Sequence, residues 1–180
     1  MRVTLDASVL FPTVTRRMLL ATAGAGAFTP IWSPRLIEEW RRAVARRYPE
    51  SSQAVGVEIA LMQANWPGAE RKTPENLEPY WLPDLDDRHV LGLAVVTSCD
   101  AIVTINAKDF PKAILAEYKI ERFDPDTFLT AMLSTAKHGI MAEAAKIAQD
   151  FPEKSMRAIF KKARLPKLAK ALETELNRPT

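Results

Sequence analysis

Cysteine and histidine are scarce in this chain. Its 180 residues include one cysteine, Cys99, and two histidines, His89 and His138. A single cysteine excludes a disulfide framework and any multi-cysteine zinc site, and two histidines leave little for a histidine-rich metal centre. Glycine is sparse as well, six in all. Gly24 and Gly26 fall at the expected end of a helix and do not form the fingerprint of a dinucleotide-binding turn. No apolar run approaches the ~20 residues of a membrane span, so no membrane association is expected. The N-terminal stretch MRVTLDASVL carries an acid at position 6 and no small-residue cleavage pattern, unlike a signal peptide. These absences lead to the expectation of a reduced, cytoplasmic globular protein.

Apolar residues make up 47% of the chain, enough for a buried core and too many for a disordered one. The length fits one domain of ~100–200 residues with at most a small appendage. The net charge of +3 is uneven. Residues 1–136 hold 15 basic and 17 acidic residues, whereas residues 137–180 hold 10 basic and 5 acidic. Lys154 to Lys170 contains seven basic residues and no acid. Such a tail suits a polyanion; a solvated helix face has the same composition.

The order of elements predicts an α/β fold. Arg2 to Leu5 reads as a strand ending at Asp6. Thr15 to Ala25 reads as a helix, and Phe28 to Trp32 as a second strand. Ser33-Pro34 supplies an N-cap and a first-turn proline for a helix to Arg47. Another helix runs from Ser52 to Asn65. Residues 67–85 hold four prolines and read as loop with room for one short strand. Asp86/Asp87 start an apolar helix to Ser98, Ala101 to Thr104 is a strand, and Lys112 to Tyr118 a short helix. Ile120 to Phe123 is a last strand, and a helical region begins at Asp124-Pro125. Strands alternating with helices imply a parallel sheet flanked by helices. The boundary falls near residue 125, separating an α/β body (1–125) from a helical C-terminal extension (126–180).

Four acids stand at chemically suggestive places. In open α/β folds ligands bind beyond the carboxyl ends of the strands. Asp6 follows the first strand, Asp109 lies in the loop after the Ala101 strand, and Asp86/Asp87 begin the preceding helix. At ~100° per residue, Leu36, Ile37, Trp40, Ala43 and Val44 form one apolar stripe. Glu39 sits at the edge of that stripe and Glu38 nearly opposite, so Glu39 can face a cleft. Asp87 likewise shares a face with Val90, Leu91 and Ala94. Each acid also has a plain structural reading: a helix cap for Asp86 or Asp87, a loop acid for Asp109, an arginine partner for Glu39. Converging carboxylates repel one another unless protonated or bridged by a hard divalent cation such as Mg²⁺ or Mn²⁺.

Four segments in order, covering roughly residues 2–125, resemble PIN-domain ribonucleases of the VapC toxin type: LDASVL at 5–10, SPRLIEEWRRAVARR at 33–47, LPDLDDRHVLGLAV at 82–95 and AIVTINAKDFP at 101–111. The resemblance implies a PIN-like three-layer fold and metal-dependent endonucleolytic cleavage of RNA. It makes Asp6, Glu39 and Asp87 ligands of Mg²⁺ or Mn²⁺, with Asn106 or Asp109 as the fourth group. Many relatives carry an Asp where this chain has Asn106, and Asp109 can take its place. Ser8 and Thr104 match hydroxyl positions able to orient water, or serve as ordinary backbone partners. The resemblance also implies a cognate antitoxin protein as partner, and a homodimer is compatible with it.

RNA needs basic groups to hold its backbone near so many acids. Arg16/Arg17, Arg41, Arg42, Arg46/Arg47 and the tail residues Lys161, Lys162 and Lys167 are the candidates. Within the tail, Met156, Ile159, Phe160, Ala163 and Leu168 give one apolar side. The four tryptophans suit the core better than an interface. The alternative function is a catalytically weak PIN-like module that binds RNA or protein through its basic C-terminal helices. A haloacid-dehalogenase-type phosphatase is disfavoured, because Asp6 is followed by Ala7 and Ser8 with no second Asp two residues on.

Overall fold

The computed structural model describes residues 1–177; positions 178–180 of the basic extension lie outside the described residues. Four short strands, β1 (Arg2–Leu5), β2 (Thr29–Ile31), β3 (Ala101–Val103) and β4 (Glu121–Phe123), form one parallel sheet in the order β2-β1-β3-β4. Consecutive residues of β1 and β3 are buried, so both faces of the sheet are covered, as parallel sheets require. The fold is α/β, a parallel sheet flanked by helices, as the alternating pattern predicts.

The chain leaves β1 toward β2 on one side and returns to β3 on the other. The reversal places a switch point between the carboxyl ends of β1 and β3, where such folds bind ligands. Asp6 N–H donates to Val103 O at 3.2 Å, locking the two strand ends together.

The chain divides into two compact units. The first comprises Met1–Phe11 and Thr29–Phe123 and holds the whole sheet. Its helices are α1 (Ala7–Leu10), α3 (Pro34–Arg47), α4 (Ser52–Asn65), α5 (Arg88–Val96) and α6 (Lys112–Glu117). The second comprises Pro12–Phe28 and the chain from Asp124 onward. Its helices are α2 (Thr13–Gly24), α7 (Pro125–Gln149), α8 (Met156–Lys162) and α9 (Pro166–Leu176). A cut at residue 125 assigns α2 to the α/β body, whereas its packing groups it with the C-terminal helices.

In the first unit, Ser33 Oγ accepts from Leu36 N–H and Pro34 opens α3, so this helix starts where its sequence signals place it. Leu36, Ile37, Trp40 and Val44 are buried along its inner face. The segment after α4 forms no regular strand. It makes one parallel bridge, Trp32 to Glu70, with Arg71 N–H donating to Trp32 O at 2.9 Å. Farther on it crosses α5 at Gly92. A Cβ there would meet Pro74 Cγ and Tyr80 Cδ2 at 3.0 Å, so only glycine admits the loop this closely.

In the second unit, Gly26 takes a φ of +83° and ends α2. Asp124 Oδ1 accepts from Thr127 N–H and starts α7. Asp126 is buried, and its two oxygens accept from Lys167 N–H and Leu168 N–H at 2.9 Å each, fixing the start of α9. A Cβ on Gly139 of α7 would lie 2.7 Å from Ala25 Cβ, so α7 and the end of α2 pack in near contact. Of the predicted apolar side of the basic tail, Ile159, Phe160 and Leu168 are buried and Met156 and Ala163 half-buried; Leu165 and Leu172 are buried with them.

Candidate metal centre

The turn after β1 builds the first wall of the site. Val9 N–H and Leu10 N–H both donate to Asp6 O, so the chain passes directly from strand into the single turn α1. That turn carries Ser8 back over Asp6. Asp6 is 3% exposed, and its Oδ2 accepts from Ser8 Oγ at 2.5 Å and from Thr104 Oγ1 at 2.7 Å. Thr104 leaves the end of β3, so one carboxylate oxygen joins two strand ends. Burial pushes the Asp6 carboxyl above its ordinary value; the two hydroxyls and a backbone bond oppose that rise, and Glu39 adds to it. Ser8 and Thr104 therefore act on Asp6 itself.

Glu39 stands on α3, partly exposed, while Glu38 points away and binds Arg42 at 2.8 Å. Glu39 Oε1 accepts from Arg35 Nε at 3.1 Å. His89 Nε2 lies 3.0 Å from the same oxygen but outside hydrogen-bonding geometry, and the ring is 1% exposed. Burial raises the Glu39 carboxyl, but His89 and Arg35 outweigh it and hold Glu39 below the ordinary value. The arginine-partner reading of Glu39 is thus correct without excluding a place in the site.

Asp87 decides the character of the cluster. It stands at the N-cap position of α5 yet makes no capping hydrogen bond. Asp84 caps the single turn Leu85–Asp87 ahead of α5, with Oδ1 accepting from Asp86 N–H at 2.9 Å. Asp87 is thereby left facing other acids. Its carboxyl is pushed up to about 7, first by burial and then by the charges of Asp6, Asp84, Asp109 and Glu39. Carboxylate oxygens of Asp84, Asp87 and Asp109 all lie within 4.8 Å of one another. Such a set of hard oxygen donors, one already strained by like charge, fits a divalent cation.

Among the predicted residues, the structure brings Asp6, Glu39, Asp87 and Asp109 into one electrostatic neighbourhood. Asn106 is exposed and uses its N–H to reach Thr104 Oγ1 at 2.9 Å. Asp84 escaped the sequence reading. Its signal lay three residues ahead of Asp87 in LPDLDD, where a turn capped by the first acid frees the last.

A family model described as "PIN domain" matches residues 2–108. The chain belongs to the PIN-domain family. The matched stretch contains Asp6, Glu39, Asp84, Asp87 and Asn106 and stops one residue short of Asp109. Over 47 residues the chain is 47% identical to a Mycobacterium tuberculosis protein named "Putative ribonuclease VapC50". That stretch is 26% of this chain and 28% of the relative, so the chain matches just over a quarter of the relative's length. No solved structure matches the chain significantly.

The remaining predicted residues are distributed over both units. Arg41 and Arg42 are exposed on α3, each facing Glu38. Arg16 is buried, and Arg17 binds Glu143 at 2.6 Å and also Asp150, so this pair is engaged within the second unit. Lys161 and Lys162 are exposed in the last turn of α8. Lys167 Nζ donates to Thr127 Oγ1 at 2.7 Å. Trp32 and Trp40 are core residues, and Trp81 is exposed. Cys99 is buried, with its Sγ 3.3 Å from Thr4 Oγ1. No described helix is long and apolar enough to cross a membrane.

Proposed function

We propose that this chain is a metal-dependent endoribonuclease and the toxin of a toxin–antitoxin pair. The observation that carries this reading is the cluster of Asp84, Asp87 and Asp109 beside Asp6 at the switch point of a PIN fold. Asp84, Asp87 and Asp109, with Asp6 and Glu39 beside them, would hold Mg²⁺ or Mn²⁺, which when bound would supply charge neutralisation at a phosphodiester and a more acidic water. Asp109 is preferred to Asn106 as the fourth group because it offers a charged oxygen inside the cluster.

The protein's own groups set the geometry. Ser8 and Thr104 fix one oxygen of Asp6. Arg35 and His89 keep Glu39 ionised, so it bears charge where Asp87 at neutral pH holds a proton part of the time. No residue of the cluster is a nucleophile suited to a covalent intermediate, and the reading needs none. Arg41, Arg42, Lys161, Lys162 and Lys167 are proposed to hold the RNA backbone. A small antitoxin is the proposed inhibitory partner, the cytoplasm the proposed location and a homodimer the proposed assembly.

Expression in a bacterium tests the reading. Wild-type protein should arrest growth, and Asp6→Asn, folded by circular dichroism, should not. Equal toxicity of both removes Asp6 from the mechanism; no toxicity of the wild type, with intact RNA after incubation with metal, favours the binding module.

A further inference from the structure

Residues 104–111 join β3 to α6 and carry Asp109. The stretch forms no helix or strand, and Ile105 to Lys108 are exposed. Its first half is tied to the strand ends: Ile105 N–H donates to Ser8 Oγ at 3.2 Å and Asn106 N–H to Thr104 Oγ1 at 2.9 Å. Phe110, fully buried, anchors its far end. Between these ends Asp109 N–H donates to Asn106 O at 3.2 Å and closes a turn around Ala107 and Lys108. On its own, one backbone bond holds an exposed turn weakly.

Arg122 supplies a second hold. It lies on β4, half-buried and in register with Ile102 of β3, two residues and ~7 Å short of the level of Thr104. Its long side chain covers that distance. Arg122 Nη1 donates to Ala107 O at 2.5 Å and to Phe110 O at 3.0 Å. These carbonyls belong to the residues two before and one after Asp109. Two carbonyl oxygens aimed at one point repel each other, and a charged donor between them turns that repulsion into a pair of charge-assisted bonds. Among the described residues the guanidinium bonds these two carbonyls and no acid. Its charge is therefore spent on the shape of the loop rather than on an ion pair.

We propose that Arg122 is a positioning residue of the acid cluster: by gripping the loop on both sides of Asp109, it holds that carboxylate beside Asp84 and Asp87. The grip acts through backbone carbonyls and spends none of the Asp109 carboxylate oxygens. The proposal rests on the nuclease reading above and adds the group that completes its metal site. Both Asp109 and Arg122 lie beyond residue 108, where the family match ends, so the matched stretch alone does not complete the cluster. Charge and grip have opposite consequences for a cation. A guanidinium near the cluster repels a divalent cation, so loss of its charge alone tightens binding. Loss of the grip frees Asp109 to turn away and weakens binding.

The test measures Mn²⁺ binding to the full chain by calorimetry, and hydrogen–deuterium exchange of residues 105–110 by mass spectrometry in metal-free protein. Arg122→Met keeps the apolar stem but removes charge and donors, whereas Arg122→Lys keeps both. Arg122→Met should bind Mn²⁺ about tenfold more weakly, the scale on which groups orienting a ligand act, and its loop should exchange faster. Arg122→Lys should restore most of the affinity and of the protection. In an Asp109→Asn background Arg122→Met should weaken Mn²⁺ binding no further, because the carboxylate it positions is gone. A merely structural role would weaken both backgrounds alike. Unchanged or tighter Mn²⁺ binding by Arg122→Met, or an equal loss in both backgrounds, overturns the proposal. Circular dichroism checks the fold. If Arg122→Met is unfolded, Arg122→Gln takes its place with the same expected result, and unfolding of both overturns the proposal by making Arg122 structural. Mn²⁺ binding by the wild type with equal binding by Arg122→Met removes the grip and leaves the nuclease reading intact. Absence of Mn²⁺ binding by the wild type overturns that reading, and the grip with it.

Discussion

Thr104 Oγ1 donates to Asp6 Oδ2 at 2.7 Å across 98 residues of chain. With Ser8 on the same oxygen, it pins the carboxylate at the meeting of β1 and β3. Removing the hydroxyl raises the Asp6 carboxyl further, because burial already pushes it up and the hydroxyls oppose that. Thr104→Val should therefore weaken Mn²⁺ binding about tenfold, the scale on which groups orienting a ligand act. Calorimetric titration with Mn²⁺ at pH 7 and pH 8 checks this. The deficit should shrink at the higher pH, and an unchanged affinity would show that Asp6 needs no orientation.

Asp87 makes the metal-free protein sensitive to pH in an unusual direction. Its carboxyl rises from 3.8 to about 7 on folding. Between those values the folded state keeps a proton that the unfolded chain has lost, so stability should fall as pH rises through that window. Glu39 acts oppositely: its stabilisation is present above 4.5 and is lost as pH falls through its lowered value. Asp87→Asn should raise the melting temperature of metal-free protein at pH 8 and abolish the further rise that Mn²⁺ gives the wild type. Melting curves with EDTA and with Mn²⁺ measure both. A destabilised Asp87→Asn would mean that Asp87 is structural.

The second unit depends on two local arrangements. Asp126 accepts from both Lys167 N–H and Leu168 N–H at the start of α9. Hydrogen bonds to a charged group contribute about 1.5–3 kcal/mol, and Asp126→Ala should cost about that much. Gly139→Ala forces a Cβ against Ala25 and should cost about 1–3 kcal/mol. Urea denaturation read by tryptophan fluorescence and circular dichroism checks both, and wild-type midpoints would contradict the packing described.

Much of the fold and the site is readable in the sequence, for identifiable reasons. Ser33-Pro34 and the stripe from Leu36 to Val44 fix both the start and the inward face of α3, and hence the separate fates of Glu38 and Glu39. Asp6 is marked by the buried strand it ends. The helix α1 escapes a sequence reading because it is four residues long, too short to show a period, and is held by Asp6 O. Asp84 escapes it because capping and ligation compete within LPDLDD, and only the folded turn shows which acid caps. The grouping of α2 with the C-terminal helices rests on the packing of Gly139 against Ala25, 114 positions apart in sequence, which no local pattern encodes.

The basic tail provides a separate test. Lys161, Lys162 and Lys167 carry charge on α8 and α9. If they bind phosphates, replacing all three by Gln should weaken RNA binding and lower the salt slope by ~0.7 for each phosphate no longer neutralised. Binding as a function of KCl concentration gives the slope directly. An unchanged slope would make the tail a structural element only.

The central claim is that the acids at the ends of β1 and β3 form a metal-dependent RNA-cleaving centre. Purified wild-type protein and Asp6→Asn, each incubated with single-stranded RNA in Mn²⁺ or in EDTA, test it most directly. The expected result is cleavage by the wild type in Mn²⁺ alone, with none by Asp6→Asn. Intact RNA in every lane, or cleavage that survives EDTA and the Asp6 substitution, would contradict it.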